Sequence, residues 1–328
     1  MRRRDVIRGL FALGAASTMR AGAQSVVATL PRIVFIGGGD EAGTRPFLES
    51  FLQEMKQLGY VEKSTFILEV RYADREASRL PALIKESVGG RPDILVVVGL
   101  IAARHARDAT TTVPVIVATS SDLVDAGIVQ SYARPGGNIT GISDLSDESA
   151  VKRLELLKDT MPKAARVALL TNPDFPATPK VEQRVGGAAR TLGIRITRLQ
   201  ATDRASLMLA LDSFGKSRPD ALLVGADSNA VQNARALIER ATALRVPVAH
   251  YWPGTAEMGA LFSYQADIRY NFQRAGAYAV RILKGAKPGD LPIELPTCYE
   301  LVINRKAATN FGITFPQSIL LRADKVIE

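Results

Sequence analysis

The runs IVFI, DILVVV, PVIVA, ARVALL, DALLV and VPVA are apolar at successive positions rather than at every second one. A strand of that kind buries both faces, and both faces of a sheet are covered only when helices pack on each side, as in parallel α/β folds. The segments between the runs have helical spacing. TRPFLESFLQEMKQLGY closes at Gly59, and SRLPALIKESVGG and AARHARDATTT follow further on. TFILEVRYA reads as a further strand. Strand and helix therefore alternate, the pattern of a doubly wound parallel sheet.

The pattern then begins again. SDLVDAGIVQSYA reads as a helix, Pro135-Gly136-Gly137-Asn138 breaks it, and ITGIS follows as a short strand. After it ESAVKRLELLKDTMP, TPKVEQRVGGAARTLG, DRASLMLALDSFGKS and NAVQNARALIERATAL read as helices. They alternate with the strands ARVALL, IRITRLQA, DALLV and VPVAHY. Each half contains a Pro-led strand, VPVIVAT and VPVAHY. At roughly 100–200 residues per domain, 328 residues make two similar α/β lobes the natural reading. The break at Pro135 marks where the chain leaves the first, and a ligand is expected between them. The tail (ALFSYQA, YNFQRAGAYAVRILKG, TCYELVINRKAATNFGITFP) adds strand and helix to either lobe.

Residues 1–23 read as a targeting segment. Arg2, Arg3, Arg4 and Arg8 precede the apolar run Gly9 to Thr18, which is too short to span a bilayer. Ala21-Gly22-Ala23 fits a small-residue cleavage site, making Gln24 the first mature residue. Arg3-Arg4-Asp5-Val6-Ile7 fits the twin-arginine export pattern, so a soluble, exported periplasmic chain is expected. The segment holds five arginines against Asp5, so removing it takes the formal charge from +9 to +5. No basic cluster is interleaved with aromatics, which argues against nucleic acid as a partner.

In open parallel sheets ligands bind beyond the carboxyl ends of the strands. The candidates are the residues found there: Gly38 and Asp40 after the first strand, Gly99 and Leu100 after DILVVV, and Thr119, Ser120, Ser121 and Asp122 after PVIVA. In the second half they are Asn172 and Phe175, then Asp227 and Ser228, then Tyr251 and Trp252. Hydroxyls, carboxylates, an amide and aromatics suit a small organic zwitterion. Each also has a plain structural role. Ser120 to Asp122 and Asp227 make ordinary helix caps, Asn172-Pro173-Asp174 an ordinary turn, and Tyr251 and Trp252 ordinary packing.

Catalytic signatures are thin. Gly37-Gly38-Gly39 is followed by Asp40-Glu41 and lacks G-x-G-x-x-G, and the chain holds no G-x-S-x-G, P-loop or H-E-x-x-H. His105 and His250 are the only histidines, and no His/Cys cluster has metal-ligand spacing. Cys298, alone and in an apparent strand, reads as a buried structural thiol. No enzyme, cofactor or metal site is expected.

With these residues in view the sequence resembles the ABC-transporter substrate-binding proteins of the tryptophan/tyrosine type. The resemblance runs through RRRDVI, LGYVEKSTFILEVRYAD, RLPALIKE, RPDILVV, AGIVQSYARPGGNITGIS, KRLELLKDTMP, RILKGAKPGDLPIELPTCYELVINRKAATNFGITFP and LLRADKVIE. ARPGGNITG and ILKGAKPGDLPIELPT are the most specific stretches. It implies the type I periplasmic-binding fold: two Rossmann-like lobes, three crossings at a hinge and a cleft that closes on ligand. Lobe 1 would comprise residues 31–142 and 263–292, and lobe 2 residues 143–262 and 293–328. Members often carry a small polar residue and Pro where Leu100-Ile101 stand, and Asp-Pro-Val where Asp122-Leu123-Val124 stand, so the ligand is not inherited with the fold. The implied function is delivery of a small organic solute, such as an amino acid or carboxylate, to an inner-membrane ABC permease by a monomeric receptor. The alternatives are a ligand-sensing subunit for a receptor kinase and an exported α/β enzyme.

Overall fold

The computed structural model describes residues 29–328, except Arg75, Ser120, Ser121, Leu145, Lys216 and Ser217 and the side chains of Ser146 and Ser228. The expected targeting segment lies outside the described residues. Among those described, no helix is long and apolar enough to cross a membrane.

The first lobe is built on five parallel strands, β1 (Arg32–Gly37), β2 (Ile67–Tyr72), β3 (Ile94–Val97), β4 (Val115–Val117) and β5 (Ile139–Gly141), in the order β2-β1-β3-β4-β5. Three helices connect them: α1 (Glu41–Gln57), α2 (Leu80–Gly89) and α3 (Leu100–Ala109). Successive side chains point to opposite faces, so Val34, Ile36, Leu95 and Val97 pack with α2 and α3. Ile33, Phe35, Ile94 and Val96 pack with α1 on the other face.

The second lobe opens with α4 (Ser146–Thr160) and continues β6 (Arg166–Thr171), α5 (Thr178–Thr191), β7 (Arg195–Gln200), α6 (Arg204–Asp212), β8 (Ala221–Val224), α7 (Ser228–Gln232), α8 (Ala234–Ala243), β9 (Val248–His250), α9 (Gly254–Glu257) and β10 (Phe262–Ala266). After it, α10 (Ile268–Leu283) returns to the first lobe, where Phe272, Ala275 and Ala279 share a core with Phe35 and Phe51 of β1 and α1. The chain then adds β11 (Tyr299–Asn304), α11 (Arg305–Asn310), α12 (Gln317–Leu320) and β12 (Lys325–Ile327) to the second sheet, whose order is β12-β11-β10-β9-β8-β6-β7. Only the β10–β11 pair is antiparallel among these strands.

The chain passes between the lobes after β5, between β10 and α10, and between α10 and β11. Ile142 of the first passage pairs with Glu294 of the third. Arg274 of α10 holds Glu294 through both carboxylate oxygens, at 2.7 and 2.8 Å. The Tyr278 hydroxyl donates to the Pro292 carbonyl at 2.6 Å.

Four readings of the sequence change here. β10 was expected in lobe 1 from residue 263, yet it lies in the second sheet between β9 and β11, and the chain returns only at Asp267, which caps α10. SDLVDAGIVQSYA was expected as a helix, but its described part, residues 122–133, forms turns: Gly127 takes φ +66° and the Ser131 hydroxyl bonds both the N–H and the carbonyl of Arg134. The helix NAVQNARALIERATAL breaks at Asn233, whose side chain donates to the Asn229 carbonyl and amide oxygen. Cys298 is exposed, because β11 starts one residue later, at Tyr299.

Two glycines allow close backbone approach. A Cβ on Gly276 of α10 would lie 2.6 Å from the Phe51 carbonyl of α1. One on Gly141, at φ +152°, would lie 2.1 Å from the Val117 carbonyl of β4. We expect Gly141→Ala to cost about 3 kcal/mol or more by overpacking and backbone strain, measured by denaturant unfolding. Gly186→Ala, on α5 with nothing within 4 Å of the new methyl, should instead gain about 0.5–1 kcal/mol.

Candidate functional site

The carboxyl ends of both parallel sheets meet across the gap between the lobes, which places most of the sequence-derived candidates on facing walls. On the first wall Gly38 follows β1, and a Cβ there would meet nothing within 4 Å. Asp40 caps α1 by accepting from Gly43 N at 2.9 Å. Gly99 precedes α3 at φ +87° with equally open space around it. Leu100 is the first residue of α3 and is buried in the lobe 1 core with Leu80 and Val97. The hydroxyl of Thr119 accepts from Asn271 Nδ2 of α10 at 3.3 Å. Ser120 and Ser121 lie outside the described residues. Asp122 caps its own turn, accepting from the backbone of Val124 and Asp125 at 3.0 and 3.1 Å.

On the second wall Asn172 follows β6 and donates to Asp227 Oδ1 at 3.2 Å. Its side-chain oxygen accepts from Asp174 N, and Phe175, three residues on, is half-buried. Asp227 caps α7, of which Ser228 is the first residue. The Tyr251 hydroxyl donates to the Asp227 carbonyl at 2.6 Å and accepts from Asp227 N at 3.1 Å. Tyr251 is thereby fixed to the end of β8 although it belongs to the end of β9. Trp252 reaches the other lobe: its ring meets Phe47 of α1 edge-on, with centroids 5.7 Å apart.

A second contact joins the walls. Lys180, in the first turn of α5, donates to Asp122 Oδ2 at 3.0 Å and also to Asp125, both on lobe 1. Asp147, in the first turn of α4 in its own lobe, lies 3.6 Å away and is held by Arg184 Nε at 2.9 Å. Burial opposes the charge on Lys180, but its bonds to Asp125 and Asp122 outweigh that, and its pKa stands above the ordinary lysine range. Burial likewise raises Asp122, yet Tyr132, the Asp125 N–H and Lys180 together hold it below the ordinary carboxylate range.

Behind the second wall the Tyr251 ring lies between two basic side chains. The His250 ring stacks on it at 4.9 Å, and the Arg153 guanidinium of α4 lies over it at 5.8 Å. His250 is fully buried and its Nδ1 accepts from Trp252 N at 3.0 Å. Burial, with the charge of Arg153 second, pushes its pKa down to about 3, so the imidazole is neutral. Among the described residues no group of three His, Cys, Asp or Glu side chains could hold a metal ion.

Phe47, Arg153 and Lys180 are the residues that sequence reasoning missed. Arg153 had a signal: it sits three residues after Ala150 and one before Leu154, on the edge of the apolar stripe of α4, where a charge is out of place. Lys180 had none, because its partners lie 58 and 55 residues away in the other lobe.

The chain matches the family described as ABC transporter substrate binding protein over residues 44–327. It belongs to that family. A tyrosine-binding protein of Clostridioides difficile is 24% identical over 256 residues, covering 78% of this chain and 73% of that one. Among solved structures, a conserved domain protein from Vibrio cholerae superposes with a TM-score of 0.83 at 24% identity, covering 91% of this chain and 100% of that one. The ABC domain from Streptococcus pneumonia in complex with L-Trp does so with a TM-score of 0.84 at 23% identity and the same coverage. This substrate-binding protein therefore shares its two-lobed α/β fold with both structures, the second of which contains L-Trp.

Two outcomes follow from the geometry. Lys180→Met should loosen the lobes: the radius of gyration of the ligand-free protein rises, and stability falls by about 1–3 kcal/mol, since Asp125 is exposed but the buried Asp122 carboxylate loses its cation. Added salt should do the same to the wild type and little to the variant. His250, neutral in the fold, makes stability fall with pH. The unfolded chain takes up a proton below about pH 6.5 while the folded one does not until about pH 3, so thermal stability should decline through that interval. His250→Asn should flatten the decline.

Proposed function

We propose that this chain is the exported solute receptor of an ABC importer, binding one small organic molecule between its lobes and handing it to an inner-membrane permease without making or breaking a bond. The observation that carries the reading is the way polar strand ends of two separate sheets face each other and are tied across the gap by Lys180 and Trp252. In parallel sheets those ends are where ligands sit, and a gap bounded by two rigid bodies can close on its contents. The family supports the import role. The arginine-headed start of the sequence supports export to the periplasm through the twin-arginine route.

Thr119, Asp122, Asn172, Asp227, Tyr251 and Trp252 are proposed as ligand-facing groups, with Gly38 and Gly99 leaving room beside them. Leu100 is proposed as a core residue that shapes the loop rather than a contact. The C. difficile relative is named for tyrosine and the pneumococcal structure contains L-Trp. An amino acid or related aromatic acid is the solute class to try first, and the protein is proposed to work as a monomer.

The test is a thermal-shift screen of the chain from Gln24 against amino acids, aromatic acids, small carboxylates and polyols, followed by small-angle scattering with any hit. A solute at 100 times its Kd should add about 2.7 kcal/mol and reduce the radius of gyration. A folded chain that neither saturates with any solute nor compacts would sink the receptor reading.

A further inference from the structure

Among the described residues, some buried polar side-chain atoms have no hydrogen-bond partner. Arg32 Nε and Asp147 Oδ2 belong to side chains that make ion pairs. The others are Ser143 Oγ, Ser149 Oγ, Arg153 Nε and Nη2, His250 Nε2, Gln265 Nε2 and Asn271 Oδ1. Ser143 follows β5, Ser149 and Arg153 lie in the first and second turns of α4, His250 ends β9, Gln265 lies in β10 and Asn271 stands in the first turn of α10. Most of them belong to segments next to the passages between the lobes. Native interiors satisfy such groups, so each one asks what occupies the space beside it.

Arg153 asks most sharply. Its side chain is fully buried, and one N–H, from Nη1, goes to the Tyr264 carbonyl at 3.0 Å. That carbonyl lies beyond the end of β9, which stops at His250 opposite Ser263, so the guanidinium is at the carboxyl edge of the sheet rather than inside it. The Tyr251 ring covers one side at 5.8 Å. Asp144, in the first passage, is near enough to favour the charge, as are the rings of Tyr251 and Tyr264, but burial dominates and pushes the pKa down to about 10. Arg153 makes no ion pair within 4.0 Å with any described carboxylate, and its Nε and Nη2 donate to no described atom. A guanidinium remains charged at every ordinary pH and cannot shed the cost of burial by losing its proton. A buried charge is stable only when it is paired. The two idle donors make the parallel fork that fits the two oxygens of a carboxylate.

We propose that Arg153 receives the carboxylate of the solute at the base of the cleft, beneath Tyr251 and beside the hydroxyls of Ser143 and Ser149, so that this receptor selects an organic acid over its uncharged analogue. The proposal rests on the receptor reading given above and adds to it the charge of the solute and the atom that recognises it. Ser143 and Ser149 offer hydroxyl donors to the same anion. Asn271 Oδ1 and Gln265 Nε2 remain for the rest of the molecule, and the neutral His250 places no second positive charge there.

The experiment pairs acids with their amides: L-tyrosine with L-tyrosinamide, L-tryptophan with L-tryptophanamide, 4-hydroxybenzoate with 4-hydroxybenzamide, and phenylacetate with phenylacetamide. Each is titrated calorimetrically against the wild-type chain from Gln24, with solute released from denatured protein identified by mass spectrometry and tested in the same way. The expected result is an acid that binds about 100-fold more tightly than its amide, because an uncharged group leaves the buried cation unpaired. Arg153→Met should abolish the difference without lowering the melting temperature of the ligand-free protein. Arg153→Lys, which keeps the charge and loses the fork, should retain only part of it. A structural role would give the opposite: a lower melting temperature in Arg153→Met and unchanged discrimination between acid and amide. Equal binding of an acid and its amide, or tight binding of an uncharged solute that Arg153→Met leaves intact, overturns this inference while the receptor reading stands. A folded protein that takes up nothing from the panel or the host overturns both.

Discussion

Strands buried on both faces leave a chain few places for polar chemistry. Every apolar side chain along β1, β3, β6 and β8 is committed to one core or the other, and the helices that cover them spend their inner faces on the same task. Polar side chains can then gather where strands end and the covering helices have not yet begun. A right-handed crossover puts all such points of a parallel sheet on one edge. Two sheets set edge to edge therefore enclose a polar gap as a consequence of their topology. The residues discussed here, from Gly38 to Trp252, owe their positions to this constraint before any of them contacts a ligand.

The passages between lobes must bend without tearing that arrangement. Three chain segments run side by side there, and their pinning is uneven. On the lobe 1 side the third passage is clamped hard: Glu294 receives both arms of Arg274, its N–H bonds the Gly141 carbonyl at 3.0 Å, and its carbonyl receives Ser143 N at 2.9 Å. Gly141 is pressed against β4 so closely that no side chain fits. On the lobe 2 side the same region holds the unpartnered Ser149 hydroxyl and the Arg153 guanidinium, while the Ser143 hydroxyl in the first passage is also unpartnered. One end of the hinge is thus satisfied by the protein alone, and the other is left with hydrogen-bonding capacity to offer.

The fold was legible in the sequence because its evidence is local. Uninterrupted apolar runs can only be two-sided strands, and they recur with helical segments between them at a steady spacing. What escaped was decided by distant partners. β10 looks no different from a lobe 1 strand until β9 and β11 flank it, and ALFSYQA carries no mark of that choice. SDLVDAGIVQSYA has helical spacing, yet Gly127 and the hydroxyl of Ser131 give the backbone better bonds in turns. At the site, strand-end logic reached Asp227, Tyr251 and Trp252, whose positions follow from the ladder. It misplaced Leu100, whose loop is simply the start of α3. Phe47 and Lys180 lie inside helices, where they look like ordinary packing and ordinary surface charge until the other lobe is brought up against them.

A receptor must close on its solute and remain mostly open without it, so the contacts across the gap have to be weak. Had the lobes been joined by a large apolar surface, closure would precede binding and the solute would change nothing, since a ligand shifts an equilibrium only by its differential affinity for the two states. The contacts found are of the needed kind. Lys180 and Asp125 are partly exposed and open to salt, although Asp122 is buried. Phe47 meets Trp252 by one edge, an interaction worth about 0.5–1.5 kcal/mol. In the proposed receptor, a solute filling the gap would supply the free energy of closure, and the buried Arg153 has two N–H donors without partners.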